Sequence, residues 1–294
     1  MSLAPSFSIA LKLGRISNLP TVWTNTLVGV TLAGGSVRDP RMPILLVAMS
    51  LFYTGGMYLN DAFDREFDAH SRPERPIPAG QISAHAVFTS GFAMLGAALV
   101  LLVMAGYGVP GGTGWQAPAA GALLAAAIVL YNWHHKANPL SPVVMGVCRM
   151  LIYLTAGLAF ADTVDSKLLL AALVLLSYLI GLTYTAKREH LNELGSVWPL
   201  AALAVPVMYG GNLAMDVPAV WPFLLMLAGW ILYALRLLNR RAKGDVPRAV
   251  VSLIAGISLL DAVLLAGSSA LLLSVTALVA FALTLALQRV VAGT

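Results

Sequence analysis

Apolar residues fall along the chain in ten long runs, near positions 19–35, 43–60, 84–105, 117–133, 143–160, 166–185, 197–213, 219–236, 249–267 and 270–288. A hydrocarbon core of about 30 Å takes roughly 20 helical residues to cross, so each run predicts one membrane-spanning helix. From Pro76 to His135 there is no Asp, Glu, Lys or Arg. That stretch is too long for one crossing and suits two helices broken at Gly106–Pro118, where glycine and proline interrupt the pattern. Asn18-Leu19-Pro20 is a helix-start signal for the first span. No polar stretch is left over for a soluble domain. The expected fold is therefore a single all-α unit over residues 1–294, a polytopic transmembrane helical bundle.

The polar connections carry the orientation. With the N-terminus inside, one set of ends holds Lys12, Arg15, Arg65, Arg72, Arg75, Lys136, Lys187, Arg188, Arg236, Arg240, Arg241, Lys243, Arg248 and Arg289, and the other only Arg38, Arg41 and Lys167. The positive-inside rule then places the N-terminus and the even-numbered helix ends in the cytoplasm. Lys12 and Arg15 precede a span that runs on into a second, which is not the layout of a cleavable leader, and Phe7–Ile16 is expected to lie along the interface.

Composition agrees: 59% of residues are hydrophobic and 11% charged, and the mean hydropathy is +0.83, values that belong to membrane proteins. The net charge of +5 follows from topology and anionic lipid, so no nucleic-acid partner is implied. Nor is an obligate protein partner indicated. The single cysteine, Cys148, excludes an internal disulfide and reads as a small apolar helix residue.

Against this apolar background one segment stands apart. Tyr58-Leu-Asn60-Asp61-Ala-Phe-Asp64-Arg65-Glu-Phe-Asp68 closes the second span, and Arg72-Pro-Glu-Arg75-Pro-Ile-Pro-Ala-Gly80 follows. At ~100° per residue, Asn60, Asp61, Asp64 and Asp68 fall within an arc of about 100° if the helix continues through them. Three carboxylates on one face repel one another unless a cation sits among them. A divalent metal would relieve that repulsion, and Mg²⁺, which takes oxygen ligands and is commonly shared with substrate phosphates, suits the donor set. Arg72 and Arg75, on a proline-stiffened loop, suit phosphate contacts.

Other polar residues mark the same side of the membrane. The fourth span ends in Tyr131-Asn-Trp-His134-His135-Lys136, and Lys136 is placed to hold a phosphate; the histidine pair has no carboxylate or cysteine near it in sequence. The sixth ends with Tyr184 followed by Glu189 and Glu193, four apart and so on one helical face, a second acidic pair. Arg149, about two turns into the fifth span, and Asp261 in the ninth are costly at such depths and are site candidates by default. Asn25 is expected to make an interhelical hydrogen bond.

Asn60-Asp61-x-x-Asp64-x-x-x-Asp68 with Arg72-Pro-x-Arg75-Pro-Ile-Pro-x-Gly80 resembles the first motif of the UbiA superfamily of intramembrane prenyltransferases. The resemblance implies a nine-helix core, with the tenth helix here a departure, and Mg²⁺-dependent transfer of a prenyl group from a prenyl diphosphate to a small-molecule acceptor of aromatic or quinone-precursor type. It implies catalytic roles for Asp61, Asp64, Asp68, Arg72, Lys136 and Tyr184, and substrate contacts from Asn60, Arg72, Arg75 and Lys136; Arg149 has no assigned counterpart and joins them as a binding candidate on its depth. The implied metal ligands are Asn60, Asp61, Asp64, Asp68, Glu189 and Glu193. In the second motif glutamates replace the family's usual aspartates. Lys187-Arg188-Glu189-His190 also resembles the bacterial EboC-like branch, and a bacterial inner membrane with a cytoplasm-facing site is expected. Tyr58, Tyr131 and Tyr184, at one depth, are expected to face an allylic cation. Two rivals are a secondary transporter coupling through Asp261 and Arg149, and a CDP-alcohol phosphotransferase, whose Asp-Gly-x-x-Ala-Arg pattern Asp61-Ala62-Phe63-Asp64 does not fit.

Overall fold

A computed structural model describes residues 7–135, 138–186, 198–291 and 293. Among the described residues the regular elements are all helices, with no strand. Ten helices follow the ten apolar runs: α2 (Leu19–Leu32), α3 (Arg41–Phe63), α5 (Ala84–Val103), α6 (Gln116–His134), α7 (Ser141–Leu158), α8 (Ser166–Ala186), α9 (Ala204–Asp216), α10 (Trp221–Arg240), α11 (Asp245–Gly267) and α12 (Leu271–Leu287). Two short helices, α1 (Phe7–Leu13) and α4 (Arg65–Ser71), were not separate elements in the apolar pattern.

Local chemistry places the helix ends. Pro20 and Pro142 sit in the first turns of α2 and α7, where the missing N–H costs nothing. Ser83 caps α5, its hydroxyl accepting from the Ala86 N–H at 3.2 Å. Asn18, just before α2, makes no such cap. Instead its side chain donates to the Gly293 carbonyl at 2.9 Å and accepts from Gln288 at 2.9 Å, tying the first span to the end of the chain.

Among the described residues, seven helices are long and apolar enough to cross a membrane alone. The other three, α2, α9 and α12, have 14, 13 and 17 residues. Turns of 3₁₀ helix, Ile16–Asn18 and Trp198–Leu203, lead directly into α2 and α9 and lengthen their runs. A π-helical turn, Met104–Gly108, likewise carries α5 further into the expected break.

Helix α11 is the centre of the bundle. It is buried over 89% of its most apolar window, and it packs against α2, α8, α9, α10 and α12. A helix apolar on every face needs neighbours on every face, which the ninth run met by lying inside the bundle. At the opposite end from the acidic motif, Arg41 ties three segments together. It pairs with Asp39 at 2.8 Å and donates to the Gly111 carbonyl and, at 2.7 Å, to that of Ala159, while stacking 4.1 Å from the Phe160 ring. Hydrogen bonds from Arg41 hold the Asp39 carboxyl below its ordinary pKa.

Helices α2 and α7 approach most closely at Gly29, where an added Cβ would stand 2.4 Å from the Tyr153 carbonyl oxygen and 2.9 Å from the Ala156 Cβ. Lipid supplies no hydrophobic drive between helices, so such small-residue contacts carry association. Gly29→Ala is expected to destabilise the protein by about 1–3 kcal/mol through overpacking. Thermal unfolding in detergent checks this; an unshifted midpoint would contradict the close approach.

Candidate functional site

The acidic segment does not form one continuous helix. Helix α3 ends at Phe63, Asp64 is the joint, and α4 begins at Arg65. Helical pitch nevertheless survives the joint, because the N–H of Asp64 donates to Asn60 O at 3.0 Å, that of Asp68 to Asp64 O at 2.9 Å and that of Arg72 to Asp68 O at 2.8 Å. Asn60, Asp61, Asp64 and Asp68 therefore remain on one side, and all four are buried.

The loop behind them turns the chain back. Ala79 and Gln81 donate to the Arg75 and Pro76 carbonyls, and Gly80 closes the turn at φ 70°, a left-handed conformation that favours glycine. This returns Arg75 to the acids. Its Nη1 donates to Asp61 Oδ1 at 3.1 Å and to Asp68 Oδ2 at 2.9 Å. Arg15, held at a left-handed turn between α1 and α2, donates to Asp61 Oδ1 at 3.3 Å and to Asn60 Oδ1 at 3.1 Å. His135 Nε2 stands 3.4 Å from Asp64 Oδ2. Asn132 accepts from Asn60 Nδ2 at 3.2 Å and donates to the Gly56 carbonyl, fixing α3 to α6. Burial and the nearby Arg15 charge lower the Arg75 pKa; for Arg15, burial is the largest influence and pulls down, but Asp61, Tyr53, Tyr131 and Asp64 together outweigh it and the net direction is upward.

Among the described residues, the guanidiniums of Arg15 and Arg75 and the ring of His135 thus stand beside the carboxylates. Among the described residues no set of three acidic, histidine or cysteine side chains converges as a metal site. The donors themselves, carboxylate and carboxamide oxygens, fit a hard cation, and Arg75 holds the position between Asp61 and Asp68 that such a cation would share. Lys136, Glu189 and Glu193 lie outside the described residues. Thr183 and Ala186, at the end of α8 from which the second acidic pair departs, line the cavity described next, and Tyr184 between them is half-buried.

Behind the acidic motif lies a cavity of about 700 Å³, within the usual size of a small-molecule pocket. Arg15, Arg72, Arg75 and His135 line one part, and Phe52, Leu124, Ile152, Leu182 and Ile257 supply apolar wall. Tyr131 faces it, stacked on His135 at 4.9 Å between centroids. Tyr58 is not a lining residue: it packs with Leu13, Ala62 and Val87, its hydroxyl near the Ala10 carbonyl. The tyrosine that α3 presents to the cavity is Tyr53.

Arg149 also lines the cavity, apart from the acidic motif, 5.3 Å from the Tyr53 ring centroid. It does not pair directly with Asp261; Asn25, as expected an interhelical link, stands between them. Arg15, His135, Asn132 and Tyr53 were not read as site residues. Arg15 was indistinguishable from the other basic residues of its side, and the carboxylate beside His135 comes from another helix.

Comparison with known proteins bears on the family and the fold. Two archaeal digeranylgeranylglyceryl phosphate synthases are similar in sequence. That of Methanopyrus kandleri is 29% identical over 237 residues, covering 75% of this chain and 80% of the relative. That of Natronomonas pharaonis is 29% identical over 235 residues, covering 75% and 79%. These are not EboC-like proteins, which corrects the branch assignment drawn from residues 187–190. A structure solved in work on digeranylgeranylglyceryl phosphate synthase in membranes superposes with a TM-score of 0.61 at 17% identity, covering 88% of this chain and 97% of the other. An apo UbiA homolog from Aeropyrum pernix does so with 0.57 at 15%, covering 89% and 98%. Both show a shared fold. The UbiA prenyltransferase family itself matches residues 22–251, and with most of its length accounted for in this way the chain belongs to that family.

Proposed function

We propose that this membrane prenyltransferase moves a polyprenyl group from its diphosphate to the hydroxyl of a phosphorylated alcohol of the glyceryl phosphate kind. The observation that carries the reading is the joined acidic face and arginine loop set against a 700 Å³ apolar cavity. The acceptor class is supported by the relatives, named for making digeranylgeranylglyceryl phosphate, and it replaces the aromatic acceptor expected from sequence. The basic residues around the motif support a cytoplasm-facing site.

In this reading Asn60, Asp61, Asp64 and Asp68 hold Mg²⁺, with Glu189 and Glu193 as further ligands, and the bound ion supplies neutralising charge to the diphosphate. Arg15, Arg72, Arg75 and Lys136 hold the diphosphate oxygens and stabilise the charge they gain as the allylic C–O bond breaks. The apolar walls hold the isoprenoid and keep water from the allylic carbon. Tyr131, and Tyr184 beside the cavity wall, offer ring faces to that carbon, worth about 1–2 kcal/mol each when desolvated. The acceptor oxygen forms the new C–O bond, and its proton leaves with the diphosphate.

The test is direct. Purified protein in liposomes is given geranylgeranyl diphosphate, Mg²⁺ and either geranylgeranylglyceryl phosphate or a hydroxybenzoate, and the lipids are read by mass spectrometry. The diether phosphate is the expected product. A prenylated aromatic as the sole product would sink the acceptor assignment.

A further inference from the structure

The polar groups joining α2, α7 and α11 are not used by the chemistry above. Asp261 on α11 is fully buried, and both its carboxylate oxygens are filled by donors. Thr24 and Tyr153 donate their hydroxyls, and Asn25 Nδ2 donates at 2.9 Å to one oxygen and 3.2 Å to the other. Asn25 Oδ1 in turn accepts from Arg149 Nη1 at 3.0 Å. Only this orientation of the carboxamide works, because a carboxylate can only accept and a guanidinium can only donate.

The insertion of Asn25 has a physical consequence. A direct Arg149–Asp261 pair would turn the guanidinium fork onto the carboxylate and satisfy it there. With a carboxamide between them, Asp261 still compensates the arginine's charge inside the bundle, yet a single N–H of the five is used on Asn25. No carboxylate among the described residues pairs with Arg149. It also lies over the face of Tyr53, and the side chain borders the cavity. A buried guanidinium that makes this one side-chain hydrogen bond among the described residues, on the wall of a largely apolar chamber, is suited to one kind of ligand group, an oxyanion that it can grip with two parallel hydrogen bonds.

We infer that Arg149 is the anchor for the anionic headgroup of the acceptor, and that Asp261, acting through Asn25, is the positioning residue that keeps its fork turned into the cavity. The chamber then has two separate cationic places. Arg15, Arg72 and Arg75 surround the acidic motif where the donor's diphosphate binds, while Arg149, across the Tyr53 ring, takes the acceptor's phosphate or carboxylate. Tyr53 spaces the two, its hydroxyl donating to the Arg15 carbonyl at 3.3 Å. This separation would let one site admit two anionic lipids without exchanging their roles.

The inference rests on the proposed acceptor class for its phosphate, and the experiment separates the two. Full-length protein in nanodiscs is assayed with geranylgeranyl diphosphate and a pair of acceptors, geranylgeranylglyceryl phosphate and its dephosphorylated alcohol, and the ratio of their kcat/KM values is measured. Arg149→Met is expected to cut the preference for the phosphorylated acceptor on the order of 30- to 100-fold, with KM for the prenyl diphosphate unmoved. Arg149→Lys should keep part of the preference, having charge without the fork. Asp261→Asn should reduce it about tenfold, the value of one charge-assisted hydrogen bond, through acceptor KM rather than kcat.

Because Arg149→Met leaves a buried carboxylate uncompensated, the double variant Arg149→Met, Asp261→Asn, which removes both charges, is measured beside it. An unchanged ratio in folded variants would overturn the inference and leave the acceptor class standing. Should the wild type use neither glyceryl acceptor, the acceptor class falls. The same ratio is then taken between a hydroxybenzoate and its neutral amide, where collapse in the variants supports Arg149 as the anchor and constancy overturns it.

Discussion

Asp64→Asn is expected to lower prenyl transfer by about 10²–10³-fold, the cost of removing one charge-stabilising group from a transition state that sheds diphosphate. The substitution is nearly isosteric. It sits at the joint between α3 and α4, where the backbone N–H of residue 64 still donates to Asn60 O, so the bundle should fold. His135 Nε2 stands 3.4 Å from its carboxylate. The loss should therefore appear in turnover and in the Mg²⁺ concentration needed for half-maximal rate, with the unfolding midpoint little changed. Full activity in Asp64→Asn would remove the acidic face from the mechanism.

Arg75→Met should produce the largest change in stability, and one that depends on metal. Arg75 bridges Asp61 and Asp68, whose side chains are 9% and 3% exposed. Asp61 keeps Arg15 at 3.3 Å when Arg75 is lost. Asp68 loses the cation that bridges it, and stranding a buried charge typically costs about 3–5 kcal/mol, reduced here to roughly 2–3 because the cluster borders a cavity that admits water. In EDTA the variant should unfold well below the wild type. Millimolar Mg²⁺ should restore most of the difference if the same carboxylates are its ligands, and KM for the prenyl diphosphate should rise. A deficit that Mg²⁺ leaves untouched would argue that these acids bind arginine alone.

The helices along the ten apolar runs, the acidic face and the arginine loop were legible along the chain because each rests on short-range regularity. Apolar runs of membrane length and carboxylates at helical spacing are visible to any reader of the linear pattern. What was read less well came from contacts between distant segments. The partners of the acids were not read: in the fold Arg15 and Arg75 hold Asp61, Arg75 also holds Asp68, and His135 stands beside Asp64. Tyr58 was expected at the cavity, but α1 covers it and leaves that place to Tyr53.

Arg149 and Asp261 show the division most clearly. Their cost in a membrane, and hence their need for partners, follows from composition and depth. Which partners they have depends on α2, α7 and α11 packing close enough, at Gly29 and along the central helix, for Asn25 to stand between a guanidinium and a carboxylate. Membrane class, the spans and the first acidic motif are written in the order of residues, since the bilayer and the helix impose fixed lengths and periods. The charge pairing of the site, the cavity and the direction in which Arg149 points arise from helix packing, because each depends on side chains that only the folded bundle brings within hydrogen-bonding reach.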